Sequence, residues 1–281
     1  MKLMALRNPV YLDMETLAAQ ADYHEIRYPV PTEIVEKSTQ GRSGEASAQI
    51  AGVGLRGKGG KDVELQKSFT LAPKDKAVVS RVLDSLIEEG HVRTETADGF
   101  SRDDLVELEG ESFLHQGSLV GKLMHIALLA MQSEHVDLSN LNVAALEPEF
   151  LRHAKRAFLD NALLPIPLLL RLDRPVSEHD IYLDVEPGHF VGSRSITDIE
   201  GEIRVFGTVA RLIDDGDFYT AERWLLPGWE RQMRRLLMAS PTLSEQVNAM
   251  SQVFDVGAVG DEKVEPFLRG PAIIISAIAV Y

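Results

Sequence analysis

The residues best suited to chemistry form an acidic series in the second half of the chain. Asp184 and Glu186 close one extended segment, and Asp198, Glu200, Glu202 and Arg204 follow on the next. Acid, spacer and then Glu-x-basic is the order in which restriction-type nucleases gather carboxylates around magnesium while a cation supports the attacking water. Asp184, Glu200 and Glu202 are therefore the candidate catalytic and metal-binding residues of a magnesium-dependent nuclease or other hydrolase. The match is incomplete, because Glu202-Ile203-Arg204 carries arginine where lysine is usual. Alternating acids also arise from ordinary solvation of an exposed strand face in an acidic protein.

Other chemistries find less support. The eight histidines, at 24, 91, 115, 125, 135, 153, 179 and 189, include no pair four residues apart, the spacing that puts two imidazoles on one helix face. His179 and Asp180, close to Tyr182 and Asp184, are a set that folding could bring together. No Gly-x-Ser-x-Gly elbow is present. With no cysteine, disulfides, thiolate metal sites and a cysteine nucleophile are excluded. Gly52, Gly54 and Gly57 spell a dinucleotide fingerprint, but Lys58-Gly59-Gly60-Lys61-Asp62 follows and cannot open the apolar helix that the motif requires. The surrounding stretch 36–61 holds seven of the 21 glycines and reads as a flexible loop or linker. No cofactor is expected.

The elements that must position these residues follow from charge and periodicity. Across 281 residues, 29 basic groups face 43 acidic ones, a net charge of −14 that repels phosphate backbones and anionic lipid unless basic groups cluster locally. Nucleic-acid binding is thus not expected, and no apolar run reaches the roughly 18 residues of a membrane span. A cytoplasmic protein fits the absent cysteines and the lack of a secretory signal.

Val10 to Leu12 reads as a short strand that hands over to a helix capped by Asp13, with Leu12 and Leu17 as a hydrophobic staple. Pro73 to Glu89 is an amphipathic helix stopped by Gly90. Extended runs at 91–96 and 104–109 flank an Asp98-Gly99 turn, and helix, strand, turn, strand is the tail of a winged-helix module. Residues 67–109 carry six Lys/Arg against ten acids, so such a unit would be structural or protein-binding.

An apolar helix is expected over 118–131, and another opened by Pro148 groups Arg152, His153, Lys155 and Arg156 on its polar face. After Asn161 the texture turns strand-like, with strands at 166–172 and 181–185. In the stretch 198–238, a long central strand with a bulge or close approach at Gly207 is followed by an Asp214-Asp215-Gly216-Asp217 turn. A helix comes next, carrying Trp224, Trp229 and the outward Arg231, Arg234 and Arg235. The run 272–281 is apolar enough to need neighbours on both faces.

The expected fold is therefore α+β. Residues 1–35 form a strand-helix segment, 36–66 a Gly-rich loop or linker, 67–161 a winged-helix-like and helical unit, and 162–281 a mainly antiparallel β-rich domain packed with a helix.

Taken together, NPVYLDMETLAAQ at 8–20, the Gly-rich segment, VVSRVLDSLIEEG at 78–90, DLVELEGE at 104–111, GEIRVFGTVARLI at 201–213 and GPAIIISAIAVY at 270–281 form an ordered set. This set resembles a family of uncharacterised bacterial proteins, some of which are the small, non-ATPase component of Dodola antiphage defence systems. The companion there is a ClpB-like AAA ATPase. The resemblance implies a setting and a partner, and it carries no catalytic residues. The leading expectation is a cytoplasmic, non-enzymatic sensor or adaptor that works with such an ATPase, with the Gly-rich segment and Arg231, Arg234, Arg235, Arg152 and Arg156 as contact candidates. The alternatives are the magnesium-dependent nuclease or hydrolase effector and a structural subunit of a homo-oligomer, the latter suggested by the unmet needs of 272–281.

Overall fold

The structure is a computed structural model that describes residues 6–26, 71–94, 99–115, 117, 118, 121, 122, 167–174, 178–220 and 267–281. Among these, strands dominate: β1 (Tyr11–Leu12), β2 (Val92–Arg93), β3 (Leu105–Leu114), β4 (Leu168–Asp173), β5 (Asp180–Val185), β6 (Gly201–Ile213), β7 (Phe218–Thr220), β8 (Phe267–Arg269) and β9 (Ala272–Val280). Two helices accompany them, α1 (Met14–Tyr23) and α2 (Pro73–Glu88).

Five of the strands close into a barrel. Its order is β3, β4, β5, β9, β6 and back to β3, antiparallel at every step except β5 with β9. Alternation decides what goes inside: Leu108, Leu170, Leu183, Val205 and Ile275 point one way and form a dry interior. The long β6 reaches both β3 and β9 by breaking register at Phe206/Gly207 and again at Val209/Arg211. A Cβ at Gly207 would run into the Ser276 carbonyl, so the bulge expected at this glycine is also a close backbone approach.

The barrel's outer surface is covered in two places. Leu17 of α1 and Leu83 and Leu86 of α2 pack on Phe206 and Ile278. Farther round, Leu268 and Tyr219 of the β7–β8 ribbon pack on Leu169, Tyr182 and Ile274. With the interior on one side and these layers on the other, β9 is buried throughout except at Ser276. The neighbours its composition requires are β1, β5 and β6 of the same chain.

Several local expectations match. Asp13 caps α1 through Thr16, Leu12 and Leu17 share one core cluster, and α2 ends at Gly90 in the left-handed region (φ +80°).

Two larger expectations are corrected. β2 pairs with β3 in parallel, Val92 opposite Leu105, so the chain makes no antiparallel wing and the helix-strand-strand segment is not a winged helix. The other edge of β3 is paired with β6 over eight residue pairs, Leu105↔Thr208 to Ser112↔Gly201. The same pairing crosses the division expected after Asn161: strands from both sides of it form a single seven-stranded sheet. Short 3-10 turns at Pro187–His189 and Ile196–Asp198 flank an isolated bridge from Phe190 to Tyr11. The Asp214–Asp217 turn leads into β7 before any helix.

The Gly-rich stretch 36–61, most of the 118–131 segment, and Arg152, Arg156, Trp224, Trp229, Arg231, Arg234 and Arg235 lie outside the described residues.

Candidate functional site

The densest cluster of charged groups joins elements that are distant in sequence. Arg7, 13% exposed, places Nη2 2.9 Å from Asp84 Oδ1 on α2 and Nη1 2.6 Å from Glu107 Oε1 on β3. It also donates to the Tyr281 hydroxyl, which in turn donates to Glu107, and the guanidinium lies over the Tyr281 ring. Burial, and then the bond to Glu107, push the Tyr281 phenol well above its ordinary value and keep it a neutral donor. Arg204 and Tyr281 exchange two backbone bonds of 2.9 and 3.0 Å beside it. Each charged member meets an opposite charge or a hydroxyl, so the cluster binds the segment around Arg7, α2, β3 and the end of β9 to one another.

A second cluster looks at first like a proton relay. The His189 ring lies 5.6 Å from the buried Tyr11 ring, and its Nδ1 is 3.7 Å from Asp13 Oδ1. That separation exceeds the 2.6–3.2 Å reach of a working relay. Asp13 is also committed elsewhere, accepting from the Thr16 amide at 3.1 Å and the Thr16 hydroxyl at 2.7 Å. The Tyr11 hydroxyl accepts from the Glu186 amide, and burial raises its pKa far above the ordinary value. Capping and burial thus account for all three groups.

The carboxylates singled out for metal chemistry are set apart by strand register. Asp184 pairs with Leu169 of β4, and the His115 amide bonds to the Leu169 carbonyl. Glu202 pairs with Glu111, four residues back along β3 from that level, or about 13 Å at ordinary strand rise. Carboxylates sharing one ion stand within roughly 5 Å of each other. Glu200 reaches the Leu114 amide at 3.3 Å. Asp184 is buried at 7% exposure on the outer side of β5, whereas Glu200 and Glu202 are exposed. Among the described residues, no three His, Asp or Glu side chains are placed to hold a metal ion.

The remaining members of the series have structural partners. Asp198 pairs with Arg194 at 2.6 Å, and this bond, with those from Ser195, holds its carboxyl below the usual range. Arg204 bonds to Glu109. Asp180 pairs with Arg171 at 3.0 Å.

Sequence reasoning missed Arg7, Asp84, Glu107 and Tyr281. Their bonds span 77 (Arg7 to Asp84) to 274 residues, and no local pattern marks them. A signal existed only for Glu107, an acid at the centre of an otherwise apolar run, Leu105-Val106-Glu107-Leu108.

In the barrel the parallel contact joins the third and fifth strands. On the outer face of the second and third, Leu169 and Tyr182 are buried, in contact with the chain's own β7–β8 ribbon.

A family model for a domain of unknown function, DUF6414, matches residues 6–281. The chain belongs to this family, whose model runs without a break over both halves of the barrel. No curated protein and no solved structure matches significantly. No helix among the described residues is long and apolar enough to cross a membrane.

Proposed function

We propose that the chain is a cytoplasmic, non-enzymatic sensor or adaptor in bacterial antiphage defence, acting with a ClpB-like AAA ATPase. The observation that carries this reading is how the described polar groups are used. Arg7, Asp84, Glu107, Tyr281, Asp13 and Asp198 are each engaged in bonds that fasten one element to another. Such a scaffold suits a protein that presents surfaces. The setting and the ATPase partner rest on the resemblance carried by the ordered landmarks at 8–20, 78–90, 104–111, 201–213 and 270–281. The register that separates Asp184 from Glu202 weighs against a magnesium-dependent nuclease.

The test is co-purification of the full chain with the ClpB-like ATPase encoded beside it. A stable or nucleotide-dependent complex is expected, and no association with or without ATP would sink the reading.

A further inference from the structure

The β7–β8 ribbon has two faces of opposite character. Tyr219 and Leu268 face the barrel, and Leu268 is 1% exposed. On the other side Phe218 and Phe267 are 66% and 40% exposed, their rings 5.1 Å apart and nearly edge to face. Paired exposed rings bury more area on association than scattered single side chains, and aromatic anchors of this kind concentrate binding energy at interfaces.

The pair is rigidly mounted. The Asp217 amide bonds to the Asp214 carbonyl at 3.0 Å, and the Gly270 amide bonds to the Asp217 carbonyl at 3.0 Å. Gly270 is packed so closely on the Asp214 carbonyl that a Cβ there would overlap it. The turn before β7 and the end of β8 therefore hold each other, and little order remains to be gained on binding.

That turn also sets the charge beside the rings. Asp214, Asp215 and Asp217 are all exposed. Of the nearby cations, Arg211 lies over the Tyr219 ring, 4.4 Å from its centroid, and Arg269 has an interaction of its own. Exposed aromatic faces and adjoining carboxylates complement one chemistry in particular. A guanidinium or ammonium can stack on a ring and pair with a carboxylate at once, and its aliphatic stem covers the rest of the ring. The net charge of −14 draws such a cationic partner in from a distance.

We propose that the outer face of the β7–β8 ribbon docks an arginine- or lysine-bearing segment of a protein partner. Phe218 and Phe267 are the anchors, and Asp214, Asp215 and Asp217 form the rim. The proposal rests on the adaptor reading above and takes the partner to be the ClpB-like ATPase.

The experiment measures binding of the purified full chain to that purified ATPase, at low and high salt, by biolayer interferometry. Phe218→Ser/Phe267→Ser is expected to weaken binding about tenfold or more. Asp214→Asn/Asp215→Asn/Asp217→Asn is expected to weaken it several-fold at low salt and to flatten the salt dependence. All five side chains are exposed, so both variants should melt as the wild type does.

If the wild type binds and both variants match it within about twofold, the ribbon is overturned and the adaptor reading stands. If the wild type does not bind at all, both fall together. Light scattering on the chain alone adds one more outcome: self-association abolished by the phenylalanine variant would make the occupant a second copy and overturn the cationic partner.

Discussion

Acids recur along the outer face of β3 at 107, 109 and 111, and the two ends of this series meet opposite fates. Glu107 is 11% exposed and held by Arg7 and Tyr281. Glu109 stands opposite Arg204 and bonds to it. Glu111, two residues on, has Glu202 as its partner on β6 and Asp173 as its partner on β4. One residue type, on one strand and one face, thus serves as a buried clamp at one end and as an unmatched charge at the other. The difference lies wholly in what the neighbouring strands bring alongside.

The largest test of this contrast is Arg7→Met. It leaves Asp84 and Glu107, 13% and 11% exposed, without their cation, and about 3 kcal/mol of stability should be lost in urea denaturation. A loss of only a few tenths would mean that the clamp does not hold the segment around Arg7.

The second test uses His115, which follows the end of β3. Its Nδ1 accepts from the Gly117 amide at 3.1 Å, so the imidazole is neutral. Burial, and then Arg171, hold its pKa below the ordinary 6.5. Between 6.5 and the folded value, the unfolded chain binds more protons than the folded one. The contribution of His115 is therefore complete above pH 6.5 and is lost as pH falls through the folded value. In a series of denaturation midpoints, His115→Gln should flatten the acid side of the stability profile; identical profiles for variant and wild type would remove His115 from the account.

The smallest test works at the unmatched end. Glu111→Lys places a cation between Glu202 and Asp173, and a gain of about 0.5 kcal/mol is expected. A gain at Glu107 of the same kind would erase the contrast between the two ends.

What the sequence revealed was local. Asp13 with Thr16, Pro73 with Gly90, and the apolar run at 272–280 each carry their signal within a few residues, and each element formed where expected. Gly207 was legible too, because a glycine inside an alternating strand marks a bulge. Barrel closure was not legible. The alternation of β3 and β6 is the same whether they belong to two sheets or to one, and only the register Leu105↔Thr208 to Ser112↔Gly201 joins them. The wing was not legible either: two extended runs beside an Asp-Gly turn suggest a hairpin, and only the register Val92↔Leu105 shows that they run parallel. The carboxylates Asp184 and Glu202 were grouped by sequence proximity, and strand register moved them apart.

The place of β9 has a consequence for synthesis. Among the described strands, β9 alone touches β1, β5 and β6, and it closes the barrel although it follows the other four barrel strands in sequence. Until residues 272–280 emerge, β5 and β6 each present an unpaired edge, and the apolar interior stays open to water. The stretch between β6 and β9 must be translated before β9 can close the barrel, a delay of several seconds at ordinary elongation rates.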